Sequence, residues 1–535
     1  MRGKPLSRLL VPPGFFSAIF LVVWAAIATW LHPLPVTAVR AVSPFLTIAA
    51  QPVLAHPAPA PEPTRTPASS PAMASSAPLN FTRPRPAWVL ASPSGFVYTA
   101  AAGEPVAAVV RRFWSQTNFM THAELESALR TVNGLEKTNY LKAGQQVQIP
   151  GYEAATVVEK PIHVPAGFEA RAVYLTGTMA GSVNGLKLVQ HWRSMGGNAV
   201  VFDVKDSDGS VNIPFPHALA PHRSPAIPNL PKYVRYLHSL GLHVVARIAL
   251  FRDENIAQNH SELAVRSRRS GQAWRENGKL VWTDPSNPEV QQYNVALART
   301  AAAGGVDEIQ FDYVRFPAEG DQADAQFRFQ ADRPQATRAD VIADFLQHAY
   351  AQLHSMGVLV SLDVFGVMAW QRPVDLSHTG QDIVRMVRGC DVLSPMIYPS
   401  HFFGMDGYAQ PGDAPAHFIG ESMERFRKVT AGVASGTGAP VVIRPWLQAF
   451  GWRTKTYDPE YIRVQVEVAR QNAGVGFLFW NARNDYSKPM TAMAEMRHQP
   501  GHFFRGDEMP APGAGPAAER AAAPPAELAP TPNPQ

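Results

Sequence analysis

The chain holds one cysteine, Cys390, in 535 residues, so no disulfide within it is possible and its folded parts must stand on their cores. No His-Glu-x-x-His run and no tight histidine cluster with zinc spacing occurs, and nothing calls for a cofactor. Gly177-Thr-Met-Ala-Gly181 lacks the lysine and spacing of a phosphate loop. A cysteine nucleophile needs exposure and a neighbouring base, and neither is visible around Cys390. The formal net charge is only +5, with acidic and basic residues well mixed, and no arginine stripe interleaved with aromatics appears. Nucleic acid is therefore not an expected partner.

Long apolar runs are also scarce. One stands out, Gly14 to Leu31, which carries no charge and follows Arg2, Lys4 and Arg8. It is long enough to span a bilayer with its basic flank in the cytoplasm. Residues 1–31 thus read as a signal anchor, with a cleaved signal peptide as the rival, and either way the remainder is exported. Residues 32–95 are a linker rich in Pro, Ala and Ser that cannot bury enough apolar surface to fold. The tail at 506–535 has the same composition and is expected to be disordered.

What is present is a recurring design from about 168 to 500. Strand candidates at Val173–Thr178, Asn198–Asp206, His243–Asp253, Asp307–Pro317, Leu359–Phe365, Asp391–Tyr398, Pro440–Gln448 and Gly476–Asn481 alternate with helical stretches. Eight such units over this length predict an α/β fold, a (β/α)₈ TIM barrel, with a doubly wound open sheet as the competing architecture. The strands end in polar or aromatic residues, at the edge where such barrels build active sites. In Asp307–Pro317, alternation puts Glu308, Gln310 and Asp312 on one face, which is costly unless that face lines a polar cavity.

Asp312 and Asp363 end consecutive strands of this barrel. Adjacent strands lie about 4.8 Å apart, which suits the paired carboxyl groups of glycoside hydrolysis. Asp312 is expected as nucleophile, held ionised by Arg315, and Asp363 as acid; the reverse assignment stays open. Asp203, Lys205 and Asp206 are candidates for sugar hydroxyls or for an internal cluster. Tyr398, Trp446 and Trp480 are candidate stacking platforms or core aromatics. His401 is a candidate proton relay or a loop histidine, and Arg315, Gln448 and Asn481 are further candidate substrate contacts at the polar strand ends.

The pieces Phe202-Asp-Val-Lys-Asp206, Asp307 to Pro317, Asp363-Val-Phe-Gly366, Pro395-Met-Ile-Tyr-Pro-Ser-His401, Arg444-Pro-Trp-Leu-Gln448 and Phe479-Trp-Asn481 resemble a bacterial glycosyl hydrolase family, domain of unknown function 4015. The resemblance covers about 168–500 and implies a TIM barrel acting on a carbohydrate. Residues 96–151 resemble a LysM domain, a small βααβ module that binds N-acetylglucosamine-containing glycans. The matching residues are Tyr98 to Glu104, Leu129, Asn133 and Leu141 to Pro150, whereas Pro105 and Phe113 to Glu124 depart from the pattern.

Together these readings predict a membrane-tethered or periplasmic glycoside hydrolase on the extracytoplasmic face. Its partners would be a polysaccharide or peptidoglycan-type glycan and, through the anchor, the inner membrane. The alternative is a carbohydrate-binding envelope protein without catalysis.

Overall fold

A computed structural model describes residues 89–92, 95–152 and 157–506. The expected anchor over 1–31, the linker up to residue 88 and the tail past 506 lie outside the described residues. No helix among the described residues is long and apolar enough to cross a membrane.

Strands β1 (Val89–Ser92), β2 (Gly95–Thr99) and β3 (Gln146–Ile149) form an antiparallel sheet in the order β1-β2-β3. Between β2 and β3 run helices Val106–Phe113 and His122–Asn133. The second helix starts at a capping box, where Thr121 accepts from Glu124 N–H while the Glu124 side chain returns to Thr121. It stops at Gly134, whose φ of 63° suits glycine. Phe96, Val106, Val109, Phe113, Leu125, Leu129, Val147 and Ile149 make a separate small core. This unit docks on the barrel helix Leu230–Ser239, where Lys232 Nζ donates to Trp114 O at 2.8 Å and lies 4.1 Å from the centre of the Trp114 ring.

The rest closes into a barrel. Its strands are β4 (Arg171–Leu175), β5 (Ala199–Lys205), β6 (His243–Ala249), then β8 (Glu308–Asp312), β10 (Leu359–Phe365) and β11 (Val392–Ile397), then β12 (Val442–Ile443), β13 (Trp446–Gln448) and β14 (Phe477–Trp480). All pairings are parallel, β14 joins β4, and β10 joins β11, which shuts the ring and excludes the open sheet. β12 and β13 share one barrel position, because Pro445 between them has no N–H for the ladder. Eight parallel positions result, as the alternating pattern predicts. Two short strands outside the ring, β7 (Arg266–Ser267) and β9 (Ala325–Gln326), pair antiparallel to each other.

Period-two alternation sorts the side chains. Val200, Phe202, Val244, Ala246 and Ile248 belong to the layer shared with the outer helices, whereas Ala172, Tyr174, Ala199, Val201, Val245 and Leu478 fill the interior. The interior is stratified along its axis. At its amino-terminal end Glu308 accepts from Arg444 Nη1 at 2.9 Å and meets His243 Nε2 at 2.9 Å. Burial alone would raise Glu308, yet Arg444 and His243 outweigh it and hold the carboxyl well below its usual range. Asp312 stands at the other end of the same strand face, where the alternation of Glu308, Gln310 and Asp312 puts it.

Candidate active site

Arg247 organises the carboxyl-terminal end of the barrel. Its guanidinium donates from Nη2 and Nε to Asp312 Oδ2, at 2.5 and 3.2 Å, and from Nη1 to Asp203 Oδ1. The same Nε lies 3.8 Å from Asp363 Oδ2. One nitrogen therefore reaches both carboxyls, which keeps these oxygens no more than about 7 Å apart, below the upper end of the roughly 5–9.5 Å range of glycoside hydrolases. Strand register agrees: Leu362 faces Phe311 across β10 and β8, so Asp363 and Asp312 form the next pair.

The two carboxyls have opposite surroundings. Both oxygens of Asp312 accept hydrogen bonds, Oδ2 from Arg247 and Oδ1 from Tyr313 N–H at 2.5 Å, the pattern of a carboxylate. Tyr313 holds a φ of 50°, a left-handed backbone that an aromatic residue rarely adopts, immediately after the acid. Asp363 is 1% exposed and accepts only from Trp446 Nε1, at 2.7 Å, while its Oδ2 has no hydrogen bond. Burial first, and then the nearby Asp312 charge, push the Asp363 carboxyl well above its usual range. Asp363 is thus a buried carboxyl biased toward its protonated form, beside one whose two oxygens both accept hydrogen bonds.

Around the pair, Tyr174 donates its hydroxyl to Asp203 Oδ2. Burial pushes Asp203 up to about 7 even with Arg247 beside it. Half-exposed Trp480 sits at the rim, its ring 5.7 Å from that of Tyr398 and 5.4 Å from that of Phe450. Among the described residues no group of three His, Cys, Asp or Glu side chains is placed to hold a metal ion.

A family model described as "Putative glycosyl hydrolase domain", domain of unknown function 4015, matches residues 172–486, more than half of the chain. The chain belongs to this family. Three solved structures similar to this glycosyl hydrolase family member can be compared. A hypothetical protein from Ruminiclostridium thermocellum ATCC 27405 shares 33% identity, covering 36% of this chain and 97% of that one, with a TM-score of 0.32. The glycoside hydrolase domain of PgaB (BpsB) from Bordetella bronchiseptica shares 15% identity over 63% of this chain and 99% of that one, with a TM-score of 0.46. The spore cortex-lytic enzyme SleL from Bacillus megaterium QM B1551 shares 13% identity over 77% and 88%, with a TM-score of 0.37. No curated protein matches closely enough to count as a relative.

The family's barrel brings together Asp203, Asp312, Asp363 and Trp446, with Tyr398 and Trp480 beside them, but it sends other expected residues elsewhere. Lys205 leaves the site. A register shift between Asp203 and Lys205 breaks the alternation that would have aimed both inward. Its ammonium is fully buried between Asp253 Oδ2 at 2.8 Å, Asn294 Oδ1 at 2.9 Å and Leu250 O at 3.1 Å, on the helix side of the wall. Arg315 does not hold Asp312; Arg247 does. The Arg315 guanidinium stacks instead on Trp282 and Phe365.

Trp446 is 1% exposed, so its ring is packing and its N–H is what faces the acid. Gln448 is a clasp that accepts from Ser400 N–H and donates to Phe450 O. Asn481 likewise donates to Ala449 O and accepts from Arg483 N–H. Asp206 is half-buried at the rim and caps its own turn through Ser207 N–H. His401 is half-buried among Tyr398, Phe450 and Trp452. Burial, reinforced by Arg453, pushes it down to about 3, which leaves a neutral imidazole.

Arg247 and Tyr174 were not among the candidates drawn from the sequence. The signal for Arg247 was its place four residues after His243, on the inward face of a strand whose other inward residues are His243 and Val245.

Proposed function

We propose that this protein hydrolyses glycosidic bonds in a cell-envelope or extracellular polysaccharide, with Asp312 and Asp363 as its carboxyl pair. The observation that carries this reading is the asymmetry of two neighbouring carboxyls: one accepts on both oxygens, against Arg247 and Tyr313 N–H, and the other is buried with one oxygen unbonded and is pushed well above the usual carboxyl range. Glycoside hydrolysis needs such a division, an acid for the leaving oxygen and a base or nucleophile opposite. Asp363 gives its proton to the glycosidic oxygen as the bond to the anomeric carbon breaks. Asp312 either bonds to that carbon, to be displaced later by water, or takes a proton from the attacking water. The ceiling of about 7 Å admits both courses.

Arg247 positions the pair, Trp446 orients the acid, and Tyr398, Phe450 and Trp480 offer aromatic walls to sugar faces. Asp206 is a hydroxyl acceptor at the rim, and Asp203, fully buried with both oxygens held by Tyr174 and Arg247, supports the pair from below. The strand-helix-helix-strand order within 96–151 supports reading that unit as LysM-like, a glycan-holding module beside the barrel. With the expected anchor, the enzyme works on the extracytoplasmic face of the membrane.

The 1% exposure of Asp363 favours a second reading, a carbohydrate-binding protein whose acid never meets substrate. A reducing-end assay of the full chain against envelope polysaccharides separates the two. New reducing ends support the hydrolase, and binding without them selects the binding protein.

A further inference from the structure

Four arginines are buried among the described residues: Arg171, Arg247, Arg315 and Arg444. Three of them meet a carboxylate: Arg171 meets Glu169 at 3.3 Å, Arg247 meets Asp203 and Asp312, and Arg444 meets Glu308 at 2.9 Å. Arg315 is 8% exposed and has no carboxylate within 4.0 Å among the described residues. Its one hydrogen bond there runs from Nη1 to Phe316 O at 3.0 Å. A buried guanidinium without an anion is costly, and such a cost persists where an absent partner removes it.

The surroundings prepare that cation for a planar anion. Its central carbon lies 4.7 Å from the centre of the Trp282 ring, 4.5 Å from that of Phe365 and 5.6 Å from that of Tyr313. Stacking on aromatics occupies the faces of a guanidinium and leaves its N–H edges for in-plane bonds. Nη1 is already used, so the Nε–Nη2 edge remains, the fork that grips a carboxylate with two parallel bonds. Packing puts this guanidinium near the chemistry: it lies on Phe365, two residues past Asp363, and near the ring of Tyr313, which follows Asp312. Glu276, Glu319 and Asp312 act on Arg315 only from longer range. Burial, and then Glu276, push Glu319 up to about 7, so part of that opposing charge is absent near neutral pH.

We propose that Arg315 binds a carboxylate carried by the glycan, so that the sugar held beside Asp312 and Asp363 is an acidic one. The proposal rests on the hydrolase reading for calling the ligand a sugar, but not for the anion site itself. The carboxylate has two chemical sources, the C6 acid of a uronic acid or the lactyl ether of a muramic acid.

The test is equilibrium binding to the full chain, read by tryptophan fluorescence, since Trp282 lies on Arg315. The probes are the methyl glycosides of glucuronic acid and N-acetylmuramic acid, with those of glucose, N-acetylglucosamine and glucosamine as partners. At least one acidic glycoside should bind about tenfold or more tighter than its neutral partner, and the tighter acid identifies the source. The methyl ester of that acid, which keeps the shape and removes the charge, should lose the preference. Arg315→Gln should abolish the preference and Arg315→Lys should keep part of it.

Equal binding of acidic and neutral glycosides, binding of none, tighter binding of glucosamine, or a preference that survives in the ester or in Arg315→Gln overturns the proposal. Because binding needs no turnover, its failure is distinct from a failure of hydrolysis.

Discussion

Arg247 Nη2 lies 2.5 Å from Asp312 Oδ2, and the Nε of the same side chain is 3.8 Å from Asp363 Oδ2. One buried cation thus spans two carboxyls on neighbouring strands and leaves them unequal. Asp312 receives its hydrogen bonds, whereas Asp363 stands just beyond them.

Removing that cation leaves Asp312 and Asp203 without their shared partner inside the barrel. Arg247→Met should cost about 3–5 kcal/mol of stability, the range for breaking a buried ion pair from one side. Denaturant unfolding with an unchanged slope measures it. Activity at a temperature where the variant is folded should fall by orders of magnitude, because the pair loses its geometry.

Asp363 makes a prediction with a definite sign. Its folded value is raised above the ordinary 3.8 by burial and then by Asp312. The folded state therefore binds this proton more tightly than the unfolded chain does. Nothing is lost below the ordinary carboxyl range, and stability falls as pH rises from there toward the raised folded value. Asp363→Asn should therefore be more stable than the native chain near neutral pH and indistinguishable from it near pH 3. Thermal melts across pH read this directly. In the active enzyme the same proton should give a rate that declines as pH rises through the titration of Asp363.

Glu308 has the opposite sign. Its folded value is depressed well below the ordinary 4.5, so its pairing with Arg444 and His243 stabilises the fold above that range, and this stability is lost progressively as pH falls from there toward the depressed folded value. Arg444→Met should remove the pairing and cost about 3–5 kcal/mol at neutral pH. Unfolding by denaturant at pH 7 and pH 3 should show the deficit shrink at the lower value.

Lys205 separates a structural role from a binding one. Held by Asp253, Asn294 and Leu250 O on the helix side, it should affect stability and not substrate affinity. Lys205→Met is expected to cost about 3 kcal/mol or more. KM for whichever glycan is turned over should stay within about twofold, as expected of a residue that makes no contact with the bound sugar.

Much of this arrangement was legible in the sequence, for a physical reason. Alternation along a strand is strict, so Glu308, Gln310 and Asp312 announced a polar barrel interior, and eight apolar runs ending in polar residues announced its mouth. Lys205 misled because a single register shift after Asp203 reverses which way a side chain points, and no residue type marks that shift. Arg315 misled by proximity: three residues from Asp312 along the chain, it turns to Trp282 and Phe365. The cation that does grip Asp312 comes from the preceding barrel strand, 65 positions away. Such pairings form across strands, where spacing along one strand carries no information.

The most direct measurement is a reducing-end assay of the full chain, run beside Asp312→Asn and Asp363→Asn, on an envelope polysaccharide that the native protein cleaves. Both variants should fold and bind the glycan, yet release new reducing ends more slowly by at least about a thousandfold, the scale of losing a nucleophile or a general acid. Cleavage at the native rate in either variant would contradict the carboxyl pair and move the chemistry to other residues of the barrel mouth.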